Sequence, residues 1–264
     1  MKKGFQQWTV RDLIKTKAGA LEIFKKTKEM GYDSIQGYYV EGVFGFEDYK
    51  NMILEAGLEN CSSGGSFEEM RKGAEGIKKA VYEAHCLGSD LVALGTLPKE
   101  YRESREGYKK YAAEVNIIAG DLKKEGLKMV YHPHAIEFFS FGGGLKGMDI
   151  IFEETDPDGF WFCLDTHWLV AGGVDPLEWI RKTRGRGRLI HFKDYAIVKA
   201  AVDGIEEVHR QFAEVGEGNL NWPGIIAACR ETGIEHAIVE QDICSGDPLD
   251  SLKTSIDNMR AFKV

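Results

Sequence analysis

The sequence has no CxxC pair, no long apolar run and no excess of basic residues. Each shortage excludes something. Five cysteines at irregular spacing (Cys61, Cys86, Cys163, Cys229, Cys244) do not make a disulfide framework, and read as reduced thiols in a cytosol-like compartment. No segment approaches the roughly 20 apolar residues of a membrane span. Met1-Lys2-Lys3 leads straight into a strand-like stretch without a signal-peptide core. The expectation is therefore a soluble cytoplasmic protein with no membrane partner. A net charge of −8 argues against a nucleic-acid partner, because phosphate contacts need clustered lysine and arginine. The one basic stretch, residues 181–188, follows a helix-like segment and reads as a solvated helix end. No GxGxxG follows the first strand, which removes the usual signature of a dinucleotide-binding open sheet.

What is present is a hydrophobic content of 43% against 29% charged residues, enough apolar mass for a large core. Strand-like and helix-like stretches alternate along the chain. Helical periodicity covers residues 19–30 and 46–56, each closed by a glycine (Gly31, Gly57). A weak third strand is expected over 58–63. A capping box at Ser66 and Glu69 opens a helix expected to run to about Cys86. Further helices are expected over 103–124, near 148–154, from Asp175-Pro176, from Asn221 to Gly233 and over 250–261, and a long connection after His191. The pattern matches the eight strand-helix pairs of a (β/α)8 TIM barrel. With no short-period repeat or low-complexity linker, residues 1–264 read as a single domain.

Chemistry-bearing residues gather at four probable strand ends. These are His132-Pro133-His134 with Glu137-Phe138, then Asp165-Thr166-His167-Trp168, His191-Phe192-Lys193-Asp194, and Glu240-Gln241-Asp242. A carboxylate that ends an apolar strand needs a partner, since an unpaired buried charge is costly. For Asp165 helix capping is as good an explanation as ligation, and for His191 a hydrogen-bonded core imidazole is the plainer one. Glu240 is harder to explain without a partner. With Glu137 the set is three carboxylates and one imidazole, which suits one divalent ion (Mn²⁺, Mg²⁺, Co²⁺ or Zn²⁺) and not a thiolate site. His132 and His134 point to one side of a strand, and substrate contact suits them better than ligation. Trp8 and Trp168, each near a strand end, are candidate pocket walls. Gly142-Gly143-Gly144 gives the following loop either the freedom of a lid or a tight connection.

Those four segments, together with Val215-Gly216-Glu217-Gly218-Asn219 and Trp222, resemble the xylose isomerase-like TIM-barrel superfamily. They are closer to its sugar phosphate isomerase/epimerase branch, most clearly over residues 127–242. The resemblance implies a divalent ion held by Glu137, Asp165, His191 and Glu240. It also implies substrate contacts at His167 and Lys193. Proline at position 133, where many relatives carry asparagine, is a departure.

The implied activity is a metal-dependent isomerase or epimerase that removes a proton beside a carbonyl of a sugar, keto-sugar or polyol, through a metal-stabilised enediolate. Glu137, Glu240, Lys193 and His134 are the candidate proton carriers, with His132, His167, Trp8 and Trp168 against the substrate. Loss of a β-hydroxyl would instead make the enzyme a lyase, a dehydratase of a keto-inositol, keto-glycoside or dehydroshikimate-like ring. A non-catalytic sugar-binding barrel ranks below both, since all four ligand positions carry competent groups. A homo-oligomer is compatible with the sequence and not required by it.

Overall fold

The computed structural model describes the backbone of residues 1–202 and 205–264, and the side chains of 1–199 and 208–264. The chain forms two compact units, Met1–Glu59 with Ile190–Val264, and Asn60–Leu189. Its strands are β1 (Lys2–Gln6), β2 (Ser34–Gln36), β3 (Glu59–Asn60), β4 (Ser63–Gly64), β5 (Leu91–Leu94) and β6 (Lys128–Tyr131). Then come β7 (Phe160–Phe162), β8 (Leu164–Asp165), β9 (Leu189–Phe192), β10 (Asp194–Val202), β11 (Ile205–Ala213) and β12 (His236–Val239). The helices are α1 (Lys17–Met30), α2 (Phe46–Ala56), α3 (Phe67–Met70), α4 (Ala74–Cys86) and α5 (Arg105–Lys124). They continue with α6 (Gly147–Glu154), α7 (Thr166–Ala171), α8 (Pro176–Lys182), α9 (Trp222–Thr232) and α10 (Pro248–Ala261).

In the first unit β1 pairs in parallel with β12 (Gly4↔Ile238) and with β2 (Phe5↔Ile35). The strand order is β3-β2-β1-β12-β9. Both β9 and β12 are buried at every residue, as parallel strands covered on two faces must be. Phe5 anchors this core, edge-on to Tyr32 at 5.4 Å and tilted against Phe24 at 6.5 Å. Thr16 caps α1 through Gly19 N–H, and Gly31 ends it at φ 101°, a left-handed conformation that strains any other residue. The long connection expected after His191 is instead an antiparallel hairpin, β10 against β11, with Tyr195 opposite Phe212. Residues 195–199 are half-buried or exposed, and the sequence signal for the hairpin is Asp203-Gly204 between two β-rich runs.

In the second unit the order is β4-β5-β6-β7, again parallel, with Val92↔Met129 and Val130↔Trp161 in register. The strand expected over 58–63 is two short ones, β3 and β4, which belong to different sheets. The helix expected from Ser66 to Cys86 is also two. Ser66 does cap Glu69 N–H, but α3 stops after one turn and the chain reverses through Gly73 at φ 119°. Gly76 then passes so close to Glu69 that a Cβ would lie 2.1 Å from its carbonyl oxygen.

The basic stretch before β9 is not all solvated. The Arg186 guanidinium is buried, donates to Phe152 O (2.7 Å), Phe160 O (2.9 Å) and Thr155 Oγ1 (2.8 Å), and lies 4.9 Å from the Phe152 and Phe162 rings. Burial lowers its pKa to about 10. Gly142, Gly143 and Gly144 all have positive φ and form a closed turn, with Phe141 N–H donating to Leu145 O at 2.9 Å.

Candidate functional site

Three strand ends of the first unit gather polar side chains. His191 on β9 has Nδ1 2.9 Å from Glu240 Oε2, just beyond β12, and Nε2 2.6 Å from Gln36 Oε1 at the end of β2. Lys193 is 1% exposed at its side chain, with Nζ 2.8 Å from Glu240 Oε2 and 2.9 Å from Asp242 Oδ2. A lysine this deep needs its counter-charges, and two carboxylates supply them. The segment that carries Glu240 is held in place by its neighbours. Glu240 N–H donates to Phe192 O, Gln241 N–H to Thr9 Oγ1, and Arg11 to Asp242 O. Arg11 also lies over the Trp8 ring, 4.3 Å from its centroid, and leaves the tryptophan 44% exposed at the rim.

The loop after the hairpin is tied to the same strand end. Asp194 is fully buried, and its carboxylate accepts from the backbone N–H of Tyr195, Gly216, Gly218 and Leu220 and from the Trp222 indole N–H. This accounts for the glycines of Val215-Gly216-Glu217-Gly218-Asn219. A Cβ on Gly218 would lie 2.3 Å from both Asp194 Oδ1 and Tyr195 O.

The second unit has an imidazole and a carboxylate of its own at strand ends. Asp165, fully buried at the end of β8, uses Oδ1 to accept from His167 N–H (2.8 Å) and Trp168 N–H (3.0 Å) and so caps α7. Capping and ligation are compatible, since a carboxylate has two oxygens. His132 Nδ1 is 3.2 Å from Cys163 O, and a carbonyl can only accept, so Nδ1 carries the hydrogen and Nε2 the lone pair. Ligand atoms of His132 and Asp165 lie within 4.8 Å of each other. Beside them the His134 ring is 4.7 Å from His132 and 5.3 Å from Trp168, and the His167 ring is 4.8 Å from Trp168. His132, His134, His167 and Trp168 thus form one run of rings.

Glu137 is fully buried and turned toward the core. Tyr131 O–H donates to Oε1, and His134 N–H donates to Oε2 at 2.7 Å. Burial raises its pKa, and the two donors oppose that rise without cancelling it. The Tyr131 phenol, buried beside this carboxylate, is pushed well above its ordinary value. Both oxygens of Glu137 serve the turn that presents His132 and His134.

Sequence reasoning gave no role to Gln36, Asp194 or Asp242. Asp194 and Asp242 stood inside quoted segments. Gln36, buried like the rest of β2, gave no signal in the sequence.

Residues 24–262 match the family described as xylose isomerase-like TIM barrel, a match that runs through both units. A sugar phosphate isomerase/epimerase from Parabacteroides distasonis superposes with a TM-score of 0.79 at 25% identity, over 98% of this chain and 94% of that one. A D-allulose 3-epimerase from Methylomonas sp., solved with D-allulose, superposes with a TM-score of 0.69 at 15% identity, over 100% and 97% of the two chains. An inosose dehydratase of Clostridium tetani is 27% identical over 143 residues, 48% of this chain and 45% of that protein. The chain spans about half the length of the curated relatives it matches. Parallel strands alternating with helices, and a family match over almost the whole chain, define the fold class as α/β of the (β/α)8 type, and the chain belongs to the xylose isomerase-like TIM barrel family.

Proposed function

We propose that this chain is a divalent-metal-dependent isomerase or epimerase of a sugar, keto-sugar or polyol, with His132, Asp165, His191 and Glu240 as the ion's ligands. The observation that carries the reading is the recurrence of one imidazole-carboxylate pair at strand ends in each unit: His132 with Asp165, and His191 with Glu240. Two imidazoles and two carboxylates suit Mn²⁺, Co²⁺ or Zn²⁺, and less well Mg²⁺, which prefers oxygen. His132 takes the place that the family resemblance gives to Glu137, whose oxygens serve Tyr131 and His134. When bound, the ion supplies Lewis-acid polarisation of a carbonyl and charge stabilisation for the enediolate left by proton removal.

The residues do the rest. A Glu240 carboxylate oxygen is the base for the proton beside the carbonyl. Lys193 Nζ–H, held by Glu240 and Asp242, donates to substrate oxygen where negative charge develops. His134 returns a proton, and the ring faces of Trp168 and Trp8 lie against C–H surface of the sugar. Return to the opposite face gives an epimer, and return to the neighbouring carbon gives an aldose-ketose isomer.

A dehydratase is the second reading, favoured by the likeness to inosose dehydratase. It needs the same ligands and base, with a β-hydroxyl as leaving group.

Metal content of protein purified without chelator tests the site. His191→Ala and Glu240→Gln are expected to lose most of the bound ion, and unchanged content in both variants would refute the ligand set. Incubation of the wild type with D-allulose or a keto-inositol in D₂O then separates the readings. Carbon-bound deuterium without loss of water is expected for the first, and dehydration supports the second.

A further inference from the structure

Four hydrogen-bonding groups of the first unit stand in a row that starts from a fixed point. The backbone N–H of Trp8 can only donate, and its partner, 3.1 Å away, is Gln6 Oε1. This fixes the orientation of the Gln6 amide, whose Nε2 donates to Gln36 Oε1 at 3.1 Å. Gln36 Oε1 is therefore an acceptor, and it lies 2.6 Å from His191 Nε2. A nitrogen that close to an acceptor oxygen must carry the hydrogen. Nδ1 also faces an acceptor, Glu240 Oε2 at 2.9 Å, so ligation through Nδ1 requires that this nitrogen give up its hydrogen to make room for an ion while Gln36 keeps the other on Nε2.

The geometry points to Gln36, oriented by Gln6, as a positioning residue that holds His191 with its hydrogen on Nε2 and so directs the Nδ1 lone pair to a divalent ion shared with Glu240. This rests on the reading of His191 and Glu240 as ligands and adds to it the device that makes one of them competent. Without Gln36 the competition runs the other way. The Glu240 carboxylate is a strong acceptor, and it would draw the imidazole hydrogen onto Nδ1, the nitrogen needed for the ion. A partner for the second ring nitrogen fixes both the tautomer and the plane of a ligating histidine, and its removal typically weakens metal binding about 10- to 100-fold. In the second unit a backbone carbonyl, Cys163 O, does the same for His132. In the first unit a side chain does it, so mutation can reach it.

The test is Mn²⁺ binding by equilibrium dialysis for wild type, Gln36→Met, Gln36→Glu, Gln6→Leu and His191→Ala, with ¹⁵N NMR of His191 in Zn²⁺-loaded protein. Gln36→Met keeps length and volume but has no acceptor, and about 10- to 100-fold weaker Mn²⁺ binding is expected. Gln36→Glu restores an acceptor and is expected to bind within about threefold of wild type or more tightly, which a mere packing defect would not allow. Gln6→Leu, at a more exposed position, should shift affinity the same way by a smaller factor and covers the case in which Gln36→Met does not fold. In the Zn²⁺ form the hydrogen should be on Nε2 and the metal shift on Nδ1. Ligation through Nε2, or Gln36→Met binding within twofold of wild type while His191→Ala loses the ion, overturns the inference and leaves the ligand set standing. Equal Mn²⁺ uptake in wild type and His191→Ala, or none in either, removes the ligand set and the inference together.

Discussion

Glu137 is fully buried, and each of its oxygens accepts one hydrogen bond, from Tyr131 O–H and from His134 N–H. Burial raises its pKa above the ordinary carboxylate value of 4.5. A raised folded-state value means the native protein holds this proton more tightly than the unfolded chain does. The stabilisation from that proton is complete below pH 4.5 and is lost as pH rises through the folded-state value. Glu137→Gln cannot titrate. The stability of wild type relative to Glu137→Gln, read from urea midpoints, is therefore expected to fall as pH rises through this window. A difference that stays flat would contradict the assignment. The same variant is expected to keep its bound Mn²⁺, because the carboxylate faces Tyr131 and His134. What was legible here was that an acid stood near the fifth strand end. Which way it turned depended on Tyr131, six residues earlier on the buried side of β6, and spacing alone cannot choose between those orientations. Gln36 was illegible for a different reason: a neutral amide at the end of a three-residue strand carries no charge that demands explanation.

At the scale of elements, strands that alternate with capped helices were readable wherever local chemistry decided the outcome. Gly31 and Gly57 end α1 and α2 as expected, and Ser66 caps its helix. The misses had local signals that went unread: Gly73 and Gly76 inside the expected helix, and Asp203-Gly204 between two β-rich runs. Ser66 announces a start, but Gly73 seven residues later breaks the helix, and β10 and β11 pair antiparallel across the hairpin. The loop after β11 depends on Asp194, which lies between the strand end that carries Lys193 and the N-terminus of α9. Asp194→Ala would leave five donors without their acceptor, and a destabilisation of about 3 kcal/mol or more is expected from buried groups of this kind. Gly218→Ala should destabilise by a separate route, the clash with Asp194 and Tyr195. Urea denaturation measures both, and a loss below about 1 kcal/mol for Asp194→Ala would show that water replaces the carboxylate at little cost.

For the whole molecule, the four proposed ligands are spread over more than 100 residues of chain, from His132 to Glu240. An ion that binds only the folded chain must therefore raise its stability by mass action. At an ion concentration about 100 times the Kd the gain is about 2.7 kcal/mol, which for a chain of this size is roughly 5–10 °C in Tm. Differential scanning calorimetry with Mn²⁺ and with chelator is expected to show this difference in wild type and not in His191→Ala. A shift of equal size in both would place the ion elsewhere. The net charge of −8 leaves the wider surface attractive to cations, so the variant is the needed control.

His132 owes its orientation to Cys163, but to the carbonyl oxygen of that residue and not to its thiol. Every amino acid has that oxygen. The instruction that tells one imidazole which nitrogen to offer is therefore written in the course of the main chain and has no letter of its own in the sequence. The corresponding instruction for His191 is spelled in two glutamines and is open to revision by a single codon. Of the two histidines proposed as ligands, one is thus protected by the path of the backbone, and the other can be adjusted by evolution or by design.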